Sequence, residues 1–129
     1  MAQWQGRSRR KRTGGRYRPL RNKRKREIGR EAIPALVETQ GDSRATYRGR
    51  GGALKVAQIK VATINVTDKA KGRTFVAKVK SVVENPADPN FVQRNIVTKG
   101  AILQTDKGKV KITSRPGQNG ALNGVLVGE

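Results

Sequence analysis

The chain has 129 residues, of which 29 are lysine or arginine and nine are acidic, for a formal charge of +20. It contains neither cysteine nor histidine, which excludes a disulfide framework, thiolate metal sites and the commonest general base at neutral pH. No apolar run reaches bilayer-spanning length and none follows the basic N-terminus, so neither a membrane span nor a secretory signal is expected.

The charge is unevenly spread. Arg7, Arg9, Arg10, Lys11, Arg12, Arg16, Arg18, Arg21, Lys23, Arg24, Lys25 and Arg26 all precede the first carboxylate, Glu27. Such a segment repels itself and buries too little to offset its ordering entropy, so it is expected to take shape on a partner of dense negative charge. Nucleic acid is that partner. Arginine grips a phosphate with two parallel hydrogen bonds, and each displaced counterion adds favourable entropy. A solvated tail or localisation signal is the blander alternative, disfavoured by the interleaved aromatics and glycines. Gly14 and Gly15, after Thr13, permit a sharp bend or close backbone approach. Trp4 and Tyr17 stack on exposed bases, or Trp4 docks on the protein's own body. Pro19 opens a short helix through Arg21–Ile28, stopped by Gly29; its like charges at i,i+4 mean it forms only on the partner.

Residues 1–30 thus read as a basic arm and 31–51 as a linker, with a short extended piece around Ile33, Leu36 and Val37. From Gly41 to Gly52 the linker reads as a flexible basic loop carrying Arg44, Arg48 and Arg50, with Lys55 just beyond. Gly49, Gly51 and Gly52 let backbone N–H groups approach phosphate oxygens. A mobile surface loop is the alternative, and no P-loop is present because no Gly-Lys-Ser/Thr follows a strand. Tyr47 stacks on a base or caps the core.

Residues 52–129 hold 12 valines, five isoleucines and six threonines against four leucines, a balance that favours strands. Strands are predicted at Leu54–Thr67, Thr74–Glu84, Phe91–Thr105, Lys109–Ser114 and Ala121–Val127. In the first, the apolar phase shifts from Leu54 and Val56 to Ile59 and Val61, then Ile64 and Val66, which predicts a bulge or break. In the second, Phe75, Ala77, Val79, Ser81 and Val83 form the buried face, opposite Val76, Lys78, Lys80 and Val82. Lys99-Gly100 divides the third run. Turn signals at Asp68–Gly72, Asn85–Asn90, Asp106–Gly108, Pro116-Gly117 and Asn119-Gly120 separate the strands. The fold class is therefore all-β: a small antiparallel β-barrel over 52–129 with an extended basic arm.

A third basic cluster comprises Arg94, Asn95, Lys99, Lys107, Lys109, Lys111 and Arg115. Lys109 and Lys111 alternate with Val110 and Ile112 and share an outer face, as an ordinary solvated strand would also show. The carboxylates have neither paired-acid nor metal-ligand spacing, so no enzyme activity, catalytic residue, metal or other cofactor, or small-molecule substrate is expected.

Several stretches resemble the S8e family of archaeal and eukaryotic small-subunit ribosomal proteins. They are Trp4-Gln5-Gly6-Arg7-Ser8, Thr13-Gly14-Gly15, Lys25-Arg26-Glu27-Ile28-Gly29-Arg30, Arg50-Gly51-Gly52, Val83-Glu84-Asn85-Pro86, the run from Arg94 to Ile102, and Thr113-Ser114-Arg115-Pro116-Gly117-Gln118. They occur in order along the whole chain, and its shortness resembles the archaeal branch. The resemblance implies a β-barrel with an N-terminal arm assembled on small-subunit rRNA, beside neighbouring ribosomal proteins, in cytoplasmic ribosomes. Ala53 departs from the asparagine expected after the Gly-Gly pair, which leaves Arg50 and Lys55 as the better RNA contacts there. The RNA-binding candidates are then Trp4 to Arg7, Arg9 to Arg18, Arg21, Lys23 to Arg26, Arg30, Arg48, Arg50, Lys55, Arg94, Lys99 and Arg115. The alternatives are a ribosome-assembly factor of the same family, a DNA-compacting chromatin-type protein, and an anionic-lipid binder, for which no amphipathic helix speaks.

Overall fold

The computed structural model describes residues 3–127. The chain divides into two compact units, residues 1–32 and 33–129.

In the first unit, strand β1 (Gln3–Trp4) pairs antiparallel with β2 (Ile28–Gly29), and the Gln5 N–H extends the contact to the Glu27 carbonyl at 3.2 Å. Of the predicted Arg21–Ile28 helix, one 3-10 turn is present, Lys25–Glu27, and Ile28 and Gly29 are strand. Between the paired ends, residues 9–17 form a narrow ribbon. The Gly14 N–H donates to the Lys11 carbonyl (3.0 Å), and Gly14 has φ +85°, a value at which a side chain would be strained.

The second unit contains strands β3 (Ala35–Val37), β4 (Ser43–Arg48), β5 (Leu54–Val61), β6 (Thr63–Asp68) and β7 (Arg73–Glu84). After the short helix α1 (Asn90–Gln93) come β8 (Ile96–Val97), β9 (Ile102–Thr105), β10 (Gly108–Ile112) and β11 (Asn123–Leu126). Five of these close a barrel in the order β10-β11-β6-β7-β9, and four form a second sheet in the order β4-β5-β3-β8. The barrel is antiparallel except at β11–β6, where Asn123, Gly124 and Val125 run parallel to Asn65, Val66 and Thr67. Its interior is filled by Ile64, Val66, Ala77, Val79, Leu103, Val110, Ile112 and Leu122, with Val61, Ala35 and Val97 joining from the other sheet. The all-β expectation holds.

The predicted irregularity in the first strand falls at Ala62, between β5 and β6. Asp42 holds it there: its carboxylate accepts the N–H groups of Ala62 (2.6 Å) and Thr63 (3.1 Å) and the Thr63 hydroxyl (2.7 Å).

Three expectations are corrected. The stretch from Gly41 to Gly52 is not a flexible loop, because Ser43–Arg48 pairs antiparallel with Leu54 to Lys60, with one register shift after Ser43, and only Gly49 to Ala53 turns. The run Phe91–Thr105, expected to divide at Lys99-Gly100, does so but begins with a helix instead of a strand. Asp88 accepts the Asn90 N–H (2.9 Å) and Pro89 presets a helical φ of −56°, so α1 forms first, and Gly100 at φ +87° divides the remainder. In β7 the buried phase does not run through to Val83: Val82 is buried and Val83 exposed, because register shifts at 79–81 and 82–84 against β9 turn the side chains over.

Candidate nucleic-acid interface

Two sets of cations dominate the described surface, one on each unit. In the first unit every basic residue from Arg7 to Arg26 is exposed, and so is Arg30. The ribbon fixes their directions. The Lys11 N–H donates to the Gly15 carbonyl (2.8 Å) and the Tyr17 N–H to the Arg9 carbonyl (2.7 Å), so Arg10 and Arg16, which face each other, form the closely spaced pair without direct hydrogen bonds. Two like charges directly opposite each other oppose pairing, so a polyanion between them would remove a penalty as well as add contacts.

The aromatic residues of this unit are already engaged by arginine. The Arg7 guanidinium lies 4.8 Å from the Tyr17 ring centre and donates to its hydroxyl at 3.0 Å, while Lys11 approaches the same ring at 5.5 Å. Arg9 lies 5.2 Å from the Trp4 ring, and the Trp4 indole N–H donates to the Arg7 carbonyl at 2.8 Å. Of the two readings for Trp4, base stacking or docking on the body, these contacts show an indole anchored by arm residues. Gly6 is required here, since a Cβ would collide with the indole. Glu27 pairs with Arg21. Arg12, Arg18, Lys23, Arg24, Lys25 and Arg26 extend the exposed basic surface, and Thr13 is exposed among them.

In the second unit the β4–β5 turn gathers Arg48, Arg50 and Lys55. Tyr47 stands opposite Lys55 and Arg48 opposite Leu54. The Gly49 N–H closes on the Ala53 carbonyl at 2.7 Å, and Gly51 and Gly52 take φ of +74° and +84°, which two consecutive non-glycine residues would resist. The exposed Arg115 lies in a turn tied to this hairpin, because the Tyr47 hydroxyl donates to the Gly117 carbonyl at 3.5 Å and the Gln58 N–H to the Pro116 carbonyl at 2.8 Å. Two clusters far apart in sequence are thereby joined. Arg94 and Lys99, both exposed, lie on the β7–β9 connection. Arg94 closes α1 and Asn95 follows at φ +51°. Lys109 and Lys111 share an exposed face of β10, as the alternation predicts.

Sequence reasoning placed the β6–β7 turn but overlooked its cations, for Lys69, Lys71 and Arg73 are all exposed. The Asp68 carboxylate there accepts the N–H groups of Ala70 and Lys71, so it serves the turn. Three cations within five residues of a turn were the available signal. Among the described residues no group of three or more histidine, cysteine, aspartate or glutamate side chains is placed to hold a metal ion.

The family model for ribosomal protein S8e matches residues 4–127. A protein named small ribosomal subunit protein eS8 from Methanospirillum hungatei is 47% identical over 125 residues, covering 97% of this chain and 98% of its own. One of the same name from Haloarcula marismortui is 50% identical over 124 residues, covering 95% and 97%. A third, from Methanocorpusculum labreanum, is 47% identical over 124 residues, covering 96% and 98%.

Proposed function

Because the chain belongs to the ribosomal protein S8e family, we propose that it is a structural constituent of the small ribosomal subunit that binds and stabilises small-subunit rRNA. In this reading the arm of residues 1–30 neutralises phosphates between RNA helices. The Gly-rich hairpin with Arg48, Arg50 and Lys55, together with Arg94, Lys99 and Arg115, holds the body against the RNA. Recognition is mainly of RNA shape and backbone. The protein supports translation from within cytoplasmic ribosomes, beside other small-subunit proteins, and carries no catalysis of its own.

One observation carries the reading: Arg10 and Arg16 are held directly opposite each other in a segment that presents twelve cations before its first carboxylate. That arrangement is costly alone and favourable around phosphate. Deleting residues 1–26 and measuring incorporation into reconstituted small subunits tests it. Incorporation should fall sharply while the body stays folded by circular dichroism; undiminished incorporation refutes the role of the arm. Competition between duplex DNA and folded small-subunit rRNA at physiological salt tests the partner, and a preference for DNA refutes the ribosomal reading.

A further inference from the structure

We propose that the arm holds a pocket for a single unstacked RNA base, separate from its phosphate contacts; this rests on the rRNA-binding reading. The arm forms a half-open cavity of about 310 Å³ whose walls include Trp4, Tyr17, Pro19 and Leu20, with four arginines also in its lining but mainly apolar surface facing inward. Such a lining is anomalous in so basic a segment. A phosphate entering an apolar cavity loses its hydration, whereas a base gains stacking area.

Three details favour the base. First, the polar groups of both rings are satisfied within the arm: the Trp4 indole N–H by the Arg7 carbonyl and the Tyr17 hydroxyl by Arg7, with a guanidinium over each ring and the Lys11 ammonium also near Tyr17. Their remaining surface is therefore a stacking platform for a planar guest. Second, Leu20 is fully exposed at 104%, an apolar side chain with nothing of its own to cover and one wall of the cavity. Third, the sole carboxylate among the first thirty residues, Glu27, also lines this cavity, and its Oε2 is left to accept while Oε1 pairs with Arg21. A carboxylate repels phosphate but accepts hydrogen bonds from the N–H groups on a base edge. The cationic rim draws in the polyanion, and the pocket then takes the planar, uncharged base of one nucleotide.

Trp4 is the only tryptophan, so its fluorescence reads the pocket directly. Full-length protein is titrated with small-subunit rRNA and, separately, with inorganic polyphosphate, while anisotropy of the labelled polyanion reports binding. The proposal expects rRNA to quench Trp4 strongly and polyphosphate, which binds the same cations without bases, to leave its emission nearly unchanged. Leu20→Asn, at a fully exposed position, should weaken rRNA binding about fivefold or more without altering its salt dependence, and should leave polyphosphate binding as it was. rRNA binding with quenching no greater than that by polyphosphate, or an unchanged Leu20→Asn variant, overturns the pocket and leaves the rRNA reading standing. Failure of rRNA to bind at all overturns both.

Discussion

Replacing Asn85 should unseat the segment that connects β7 to β9. Its side chain is buried, with 4% exposure, and makes three hydrogen bonds. The amide nitrogen donates to the Ile96 carbonyl (3.1 Å), and the oxygen accepts the Ala87 N–H (3.0 Å) and the Thr98 hydroxyl (2.8 Å). In Asn85→Ala the carbonyl of buried Ile96 loses its donor and the half-buried Thr98 hydroxyl its acceptor, whereas the Ala87 N–H, near the surface, recovers water. One buried and one half-buried unsatisfied group together cost about 2–4 kcal/mol. For a body of roughly a hundred residues each kcal/mol lowers Tm by about 4–8 °C, so the expected fall is about 8–32 °C. Urea unfolding of the full chain followed by far-ultraviolet circular dichroism measures the loss of stability, and a thermal melt the fall in Tm. Asn85→Asp sharpens the test: it keeps the acceptor but turns the donor into a second acceptor facing the Ile96 carbonyl. Its deficit should equal or exceed that of alanine at neutral pH and shrink on acidification, when the protonated acid can donate again. If both variants lose less than about 0.5 kcal/mol, the range of a neutral surface substitution, the amide is not the clamp described.

At Gly124 a Cβ would lie 2.9 Å from the Lys111 carbonyl oxygen and 3.0 Å from Ile64 Cδ1. Gly124→Ala should therefore cost about 1–3 kcal/mol by overpacking, while Gly117→Ala, which meets nothing within 4 Å, should be near neutral in the same urea titration. Burial raises the Asp42 carboxyl's pKa, but the Ala62 N–H, the Thr63 hydroxyl and N–H, and nearby Arg44 outweigh it and hold the group below its ordinary value. Its contribution is therefore fully present above the ordinary carboxylate value and lost as pH falls through the lowered one; Asp42→Asn should flatten the stability profile in that acidic window. Arg10→Ala and Arg16→Ala should each reduce the slope of log affinity for rRNA against log salt by about one, and the double variant by about two. Slopes unchanged in filter binding would show that neither arginine contacts phosphate.

The all-β body was legible because β-branched residues alternate with polar ones between glycine and proline turns, a local pattern that survives folding. Ile64 and Val66, or Val110 and Ile112, are buried as their spacing predicts. What escaped was set by single hydrogen bonds and by distance. The Asp88-Pro89 pair starts a helix inside a β-branched run, and composition outweighed that two-residue signal. Val82 and Val83 exchange faces because a bulge changes the pairing with β9, and neither residue differs in kind from a normal strand residue. The segment around Arg44 was read as a loop because glycine and arginine dominate it, whereas its partner strand supplies the order. In the interface, the arm's cations were evident from charge alone. That Arg115 joins the Gly-rich hairpin through Tyr47 and Gly117, 70 residues apart, was not, since only the folded sheet brings those positions together.

The parallel strand that completes the cylinder has a consequence for biosynthesis. β11 must lie beside β6, with Asn65 bonded to Asn123, 58 positions later. At about 5–20 residues per second, the cationic leader leaves the exit tunnel roughly 5–20 seconds before that last stave is available. On the rRNA-binding reading the leader can seize RNA throughout this interval, and in its later part β6 and then β10 present raw edges that invite mispairing with other chains. Capture by the leader would then hold the unfinished body away from its neighbours until closure, so the order of synthesis would itself guard against aggregation.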